Sequence, residues 1–212
     1  KEVLVKVGIS AVSAENALLN VQAEIPHWDF DKTAAQARDK WNSALHAVEA
    51  EMLNRSAAKV FYTAMFHAMI APSLFNDVNG DYRGADGEIH RAASFDNYTI
   101  LSLWDSYRAE HPLLTLIQPE RVDDFVNTMI AIADQQGKLP VWHLAGNETD
   151  TMVGYSAAPA IADAYLKGFT GLDAKAALAA MVETARRDER GLDQLKRRGY
   201  IPCDQELESV AK

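Results

Sequence analysis

Residues 119–137, PERVDDFVNTMIAIADQQG, carry the clearest fold signal in the chain. Pro119 suits the first turn of a helix, where its missing N–H removes no bond. Val122, Phe125, Val126, Met129, Ile130 and Ala133 recur at spacings of three and four and so share one face. Gly137 then supplies the left-handed residue that closes a helix. The same pattern returns on both sides. Upstream, Ser13 can cap a helix reaching about Glu24, ended by Ile25-Pro26. Asp31 heads a longer helix with Trp41, Leu45, Val48 and Met52 in one stripe. Ser56 opens a third, which carries Val60, Phe61, Ala64, Met65, Ala68 and Met69 as far as Pro72. Downstream, a helix is expected from Glu148 and interrupted at Pro159. Another starts at Asp173, where Ala176, Ala177, Ala179 and Ala180 allow close helix approach, and Gly191–Arg198 adds a short turn. The chain reads as mainly α. Its long loops alternate with short ones, as in a ring of helical hairpins holding a site at one end.

Composition narrows the function. A 212-residue chain that is 48% apolar and 24% charged is globular, not disordered. With a net charge of −9 it has no basic stripe to neutralise phosphates, which argues against nucleic acid. The basic cluster 186–198 is interleaved with Asp188, Glu189 and Asp193 and reads as a solvated surface. Cys203 is alone, so no internal disulfide can form. No apolar run approaches the ~18 residues of a membrane span.

Val3, Val5, Val7 and Ile9 alternate as in a strand. A lone strand cannot bury its face, so its sheet is expected upstream. Residues 204–212 read as a helix just starting. The chain is therefore expected to be an internal piece of a longer protein.

The loop from Pro72 to Asn97 is long enough to expect function. Asp77, Asn79, Asp81 and Glu88 match positions 1, 3, 5 and 12 of a calcium loop, but Tyr82 stands where the sharp turn needs Gly. A turn at Asn79-Gly80 accounts for the pattern better. The chemistry-bearing stretches lie elsewhere. In LSLWDSYRAEHP, residues 101–112, Trp104 can cover the apolar face of a pyranose while Asp105 accepts from its hydroxyls. Equally, Asp105 and Arg108 are three apart on a helix and can simply pair. In LPVWHLAGNETDTMVGY, residues 139–155, Asn147 and Glu148 stand at the expected mouth of a helix. Such a position lowers a carboxyl pKa, so Glu148 suits a fixed anion that binds hydroxyls better than a proton donor. There is no phosphate loop, HExxH or Cys/His metal cluster.

These two stretches, together with VKVGISAVSAENALLN, FYTAMFHAMIAPSLFNDVNGDYRGADGEIH and AIADAYLKG, resemble the family 92 glycoside hydrolases. The resemblance covers nearly the whole chain. It implies a calcium-dependent, inverting exo-α-mannosidase of a mostly bacterial family, with an N-terminal β-sandwich followed by an (α/α)6 barrel. On that pattern residues 1–25 are the sandwich exit and linker, and residues 26–212 the first part of the barrel. Trp104 and Asp105 match residues that hold mannose, and Asn147, Glu148 and Arg83 match positions lining the pocket. The resemblance puts the general acid, the general base and the calcium ligands in later segments absent before Lys212, so no catalytic or metal-binding residue is expected here. Mannose-containing glycans are the implied partners, beside the rest of the same polypeptide, and the parent protein is expected to be periplasmic or secreted. Two departures are Asp81, where the family's RYRG segment has its first Arg, and Ser156, where a His is frequent. The competing expectation is a helical interaction domain without catalytic activity, which docks a protein partner through its apolar ridges.

Overall fold

The computed structural model describes residues 1 and 3–204. Its centre is the helix expected from residues 119–137, here α6 (Pro119–Gln136), closed by Gly137 at φ 80°. Val122, Val126, Met129, Ile130 and Ala133 on α6 meet Leu101, Leu103, Leu139, Ala157, Ile161 and Ala177 in the main core. Phe125 turns to a second cluster with Met65, Met69, Tyr98, Leu114 and Ile117. One helix therefore joins both cores.

The N-terminal helices are α1 (Ala14–Glu24), α2 (Phe30–Leu45) and α3 (Arg55–Ala68). Ser13 caps α1 as expected, accepting from the Asn16 N–H. The cap of α2 is Asp29 rather than Asp31, because the Asp29 carboxylate reaches the Lys32 N–H. That helix stops at Leu45, so Val48 and Met52 lie beyond the stripe in which they were expected. Asn54, not Ser56, heads α3 by accepting from Ala57 N–H. The expected N-terminal strand does not form among the described residues. Val3, Val5, Val7 and Ile9 are all about four-fifths exposed, with no neighbouring strand to pair. Gly8 in this segment rests on α1 so closely that a Cβ would collide with the Ala17 carbonyl.

Short strands replace the expected irregular loop within a mainly helical chain. β1 (Ser73–Leu74) pairs with β4 (Tyr98–Thr99), and β2 (Asp81–Arg83) forms a hairpin with β3 (Ile89–Arg91). The turn ahead of β2 is the Asn79-Gly80 turn. Gly80 has φ 86°, and its N–H donates to the Asp77 carbonyl. Asp77 is buried and accepts from Ser10, Asn16 and Asn20, which ties α1 to this turn.

The WD stretch is not one helix. It divides into β5 (Leu101–Ser102), α4 (Leu103–Ser106) and α5 (Glu110–Ile117). Pro112 sits in the first turn of α5, where proline is tolerated, instead of ending a helix. The helix expected at Glu148 is also absent. β6 (Trp142–Leu144) and β7 (Asn147–Glu148) form a hairpin there, and β6 pairs with β5 into a three-stranded sheet. The next helix, α7 (Ala157–Leu166), begins later and takes Pro159 into its own first turn. Then come α8 (Ala174–Ala185) and α9 (Leu192–Arg198). Of the alanines on α8, Ala177 is buried against the main core and Ala176 and Ala180 pack beside it, whereas Ala179 is exposed. Asp173 caps α8, accepting from the Lys175 and Ala176 N–H groups at 3.0 Å each. Asp173→Ala is expected to cost about 1 kcal/mol, read as a lower urea midpoint with an unchanged slope. The helix expected over 204–212 lies outside the described residues beyond Asp204.

Candidate functional site

The site is built on β5, β6 and β7. Register places Ser102 opposite Trp142, Leu101 opposite His143, His143 opposite Glu148, and Leu144 opposite Asn147. Opposed residues share a face, and successive residues alternate. Ser102, Trp142, Leu144 and Asn147 therefore form the outer face. Leu101 and His143, almost fully buried, point inward.

Trp104 and Asp105 follow β5 directly, on α4, and both are exposed, Trp104 at 38%. Ser102 Oγ donates to Asp105 Oδ2 at 2.5 Å, so the carboxylate is oriented by the adjacent strand. The Asp105–Arg108 pair does not form. Arg108 donates instead to the Tyr107 hydroxyl and lies 5.2 Å from its ring centre. The Asp105 carboxylate keeps acceptor capacity toward solvent. Nearby Glu110, half-buried at the start of α5, has its pKa raised first by burial and then by the charge of Asp105. Glu110 escaped the sequence reading, since a shift caused by burial leaves no mark in residue spacing.

Arg83 reaches the same region through the tip of the β6–β7 hairpin. A Cβ on Gly146 would lie 2.9 Å from the Arg83 carbonyl oxygen, so only glycine permits this contact. The Arg83 guanidinium is exposed but engaged, donating to the carbonyls of Ala11 and Gly87. Asn147 is exposed at the hairpin tip. Glu148 is not at a helix mouth. Its Oε1 accepts from the N–H groups of Trp142 and Asp150, and Oε2 from that of Val141, at 2.8–2.9 Å. The structure thus gathers all five predicted residues around one small sheet and the β2–β3 hairpin beside it. It adds Trp142, opposite Ser102 on the outer face. A cleft of about 340 Å³ behind β6, walled by Leu139, Val141, Tyr155, Leu192 and Leu195, takes none of the five.

Backbone strain concentrates here. Ile100, Ala145, Asp150 and Met152 have φ of 62°, 50°, 51° and 63°. Arg190, at φ 54°, is the other non-glycine residue with positive φ among those described, and it binds Asp150 and the Met152 carbonyl. Left-handed conformations cost such residues about 1–3 kcal/mol each and collect where function over-determines the backbone. For Ile100, β-branched and directly ahead of β5, the conformation is especially unfavourable.

The two departures from the family pattern lie off this face. Asp81 is directed at its cross-strand neighbour Arg91, 2.8 Å away, whose guanidinium holds the Asp81 carboxyl below the usual carboxylate range. Ser156 is buried at the start of α7. The implied calcium finds no ligand set among the described residues. No three His, Cys, Asp or Glu side chains converge, and the Asp77 carboxylate is already met by hydroxyl and amide donors.

The exposed indole of Trp104 and carboxylate of Asp105 thus stand on α4 beside the β5–β6–β7 sheet. The model of the glycosyl hydrolase family 92 catalytic domain matches residues 16–212, and the chain belongs to that family. The fold matches the family 92 α-mannosidase BT3965 of Bacteroides thetaiotaomicron with TM-score 0.89 at 36% identity, over 94% of this chain and 28% of that one. That enzyme has also been solved in complex with mannoimidazole. It likewise matches the family 92 inverting mannosidase BT2199 of the same organism, with TM-score 0.82 at 30% identity, over 91% of this chain and 27% of the other. An uncharacterised secreted glycosidase of Arthroderma benhamiae is 26% identical over 93% of this chain and 23% of its own length. The chain thus spans about a quarter of the length of the relatives it matches.

Proposed function

We propose that the protein containing this chain removes terminal α-linked mannose from glycans with inversion, and that this chain supplies part of the wall that grips the sugar. The observation that carries the reading is the exposed Trp104–Asp105 pair, its carboxylate oriented by Ser102 beside Trp142. The Trp104 ring stacks on the C–H face of the mannose while Asp105 accepts from its hydroxyls. Asn147 stands on the outer face of the same sheet, and Arg83 shapes the hairpin tip through Gly146. Membership of family 92 and the mannosidase activity named for the two solved relatives support this choice of substrate.

Inversion needs an acid and a base about 6.5–9.5 Å apart on opposite sides of the sugar. We place both, together with the calcium and the remaining (α/α)6 helices, outside these residues. The isolated 212-residue chain is accordingly inactive. We place the parent protein in the periplasm or outside the cell, in keeping with the secreted fungal relative.

The test uses the full-length enzyme and a terminal α-mannoside. Trp104→Ala and Asp105→Asn are each expected to lower kcat/KM by about 100-fold, from lost stacking and lost acceptors. Wild-type turnover by both variants, or mannose release by the isolated chain, overturns the reading.

A further inference from the structure

Glu148, on the inward face opposite His143, has the bonding of a brace. Three of the roughly four acceptor sites of its carboxylate face backbone N–H groups, those of Val141, Trp142 and Asp150. These donors bracket the hairpin: two lie at the entry to β6 and one just past β7. The closure is doubled by Thr149, whose N–H and hydroxyl both donate to the Trp142 carbonyl. Further constraints fix the tip and the far end. The Ala145 N–H donates to Thr99 Oγ1 at 2.6 Å, Gly146 abuts Arg83, and Asp150 is held by Lys138 and Arg190. Ala145 and Asp150, the strained residues, flank Asn147-Glu148 on either side. The bond from the Asp150 N–H to the Glu148 carboxylate holds this left-handed residue from within the hairpin.

We infer that Glu148 is a positioning residue, holding the β6–β7 hairpin so that Trp142 and Asn147 present a preformed face to the sugar, and that it does not bind the sugar itself. The inference rests on the saccharide reading of that face, but it assigns Glu148 a role opposite to that of a hydroxyl-binding anion. Its energetic logic is preorganisation: a face already held in the bound geometry loses less freedom on binding.

The experiment uses the full-length protein with Glu148→Gln, Asn147→Ala and the double variant. Gln keeps the size of the side chain but turns an amide N–H₂ toward a backbone N–H, so at least one of the three bonds is lost. Hydrogen exchange at the amides of Val141, Trp142 and Asp150 is expected to accelerate by about 10-fold or more without a comparable rise in the α6 core. With an α-mannoside, kcat/KM of Glu148→Gln is expected to fall by about 10–100-fold. Adding Asn147→Ala should cost little more, because the hairpin that aims Asn147 is already released. Losses that multiply in the double variant overturn the inference, since they mark two independent contacts. So does unchanged kcat/KM in the presence of fast exchange, which marks a brace with no bearing on the sugar. If Trp104→Ala and Asn147→Ala both leave mannoside turnover intact, the saccharide reading has failed instead. The hold of Glu148 on the hairpin is still decided by the exchange rates, which need no substrate.

Discussion

Between pH 6.5 and pH 4 the folded state is expected to lose on the order of 5 kcal/mol, because two buried histidines must stay neutral. Burial lowers the pKa of His111 and of His143 from 6.5 to about 4. His111 Nε2 and both ring nitrogens of His143 lack hydrogen-bond partners among the described residues, so nothing compensates a proton placed there. The unfolded chain binds protons throughout this window while the folded chain does not. Stability is therefore full above about pH 6.5, falls as the pH drops, and stops falling from this cause below about pH 4. Each histidine contributes about 1.4 kcal/mol per pH unit within the window. The sum rivals the 5–15 kcal/mol by which domains are typically stable, so acid unfolding near pH 5 is the outcome to look for. Urea midpoints measured from pH 7.5 to pH 4.5 check it, and His111→Leu should roughly halve the slope. Flat stability across that range contradicts it. The lowered carboxyls of Asp81, held by Arg91, and Asp188, held by Lys196, lose their contribution only at lower pH. The raised carboxyl of Glu110, half-buried beside Asp105, acts in the opposite sense.

Leu101→Ala is expected to cost about 3–4 kcal/mol, the usual range for emptying a fully buried leucine site. Leu101 is 0% exposed and touches the α6 core from the strand that leads into Trp104 and Asp105. The cavity would open directly beneath the β5–β6 pairing, between Leu101 and the inward-facing His143. Two readouts should move together: the urea midpoint, and the fluorescence of Trp104 and Trp142 in the native baseline. Leu116→Ala, at a position 76% exposed on α5, serves as the control and is expected to change stability by less than about 0.5 kcal/mol. Equal effects of the two substitutions would show that the main core is not organised around β5 and α6.

The location of the site also depends on what lies beneath it. Ile100, strained at φ 62°, turns the chain between β4 and β5 so that Leu101 faces inward while Ser102 and its partner Asp105 face out. The Asp105 carboxylate thus takes its orientation from Ser102, the strand neighbour of the core residue Leu101. The same holds across the sheet, where buried His143 sets the outward face of its neighbour Trp142.

Local chemistry was sufficient for α1, α6 and α8, and for the turn at Gly80. Ser13, Pro119, Gly137 and Asp173 act within one turn of themselves, so their effect is visible in a short window of residues. Trp104, Asp105, Asn147, Glu148 and Arg83 were singled out together through family resemblance and not through spacing. What the sequence by itself could not supply was the state of residues 101–112 and 142–150, where short apolar runs suit a helix as well as a strand. Pairing between β5 and β6 joins residues some forty positions apart, and no local pattern encodes a partner at that distance. That pairing set Trp142 opposite Ser102 on the exposed face, while the β6–β7 hairpin turned Glu148 toward three backbone amides instead of opening a helix. The sequence determined where helices begin and end wherever a cap or a glycine acts locally. Only the tertiary structure decided which side chains stand together on the exposed sheet, because strand partners and burial are properties of the whole fold.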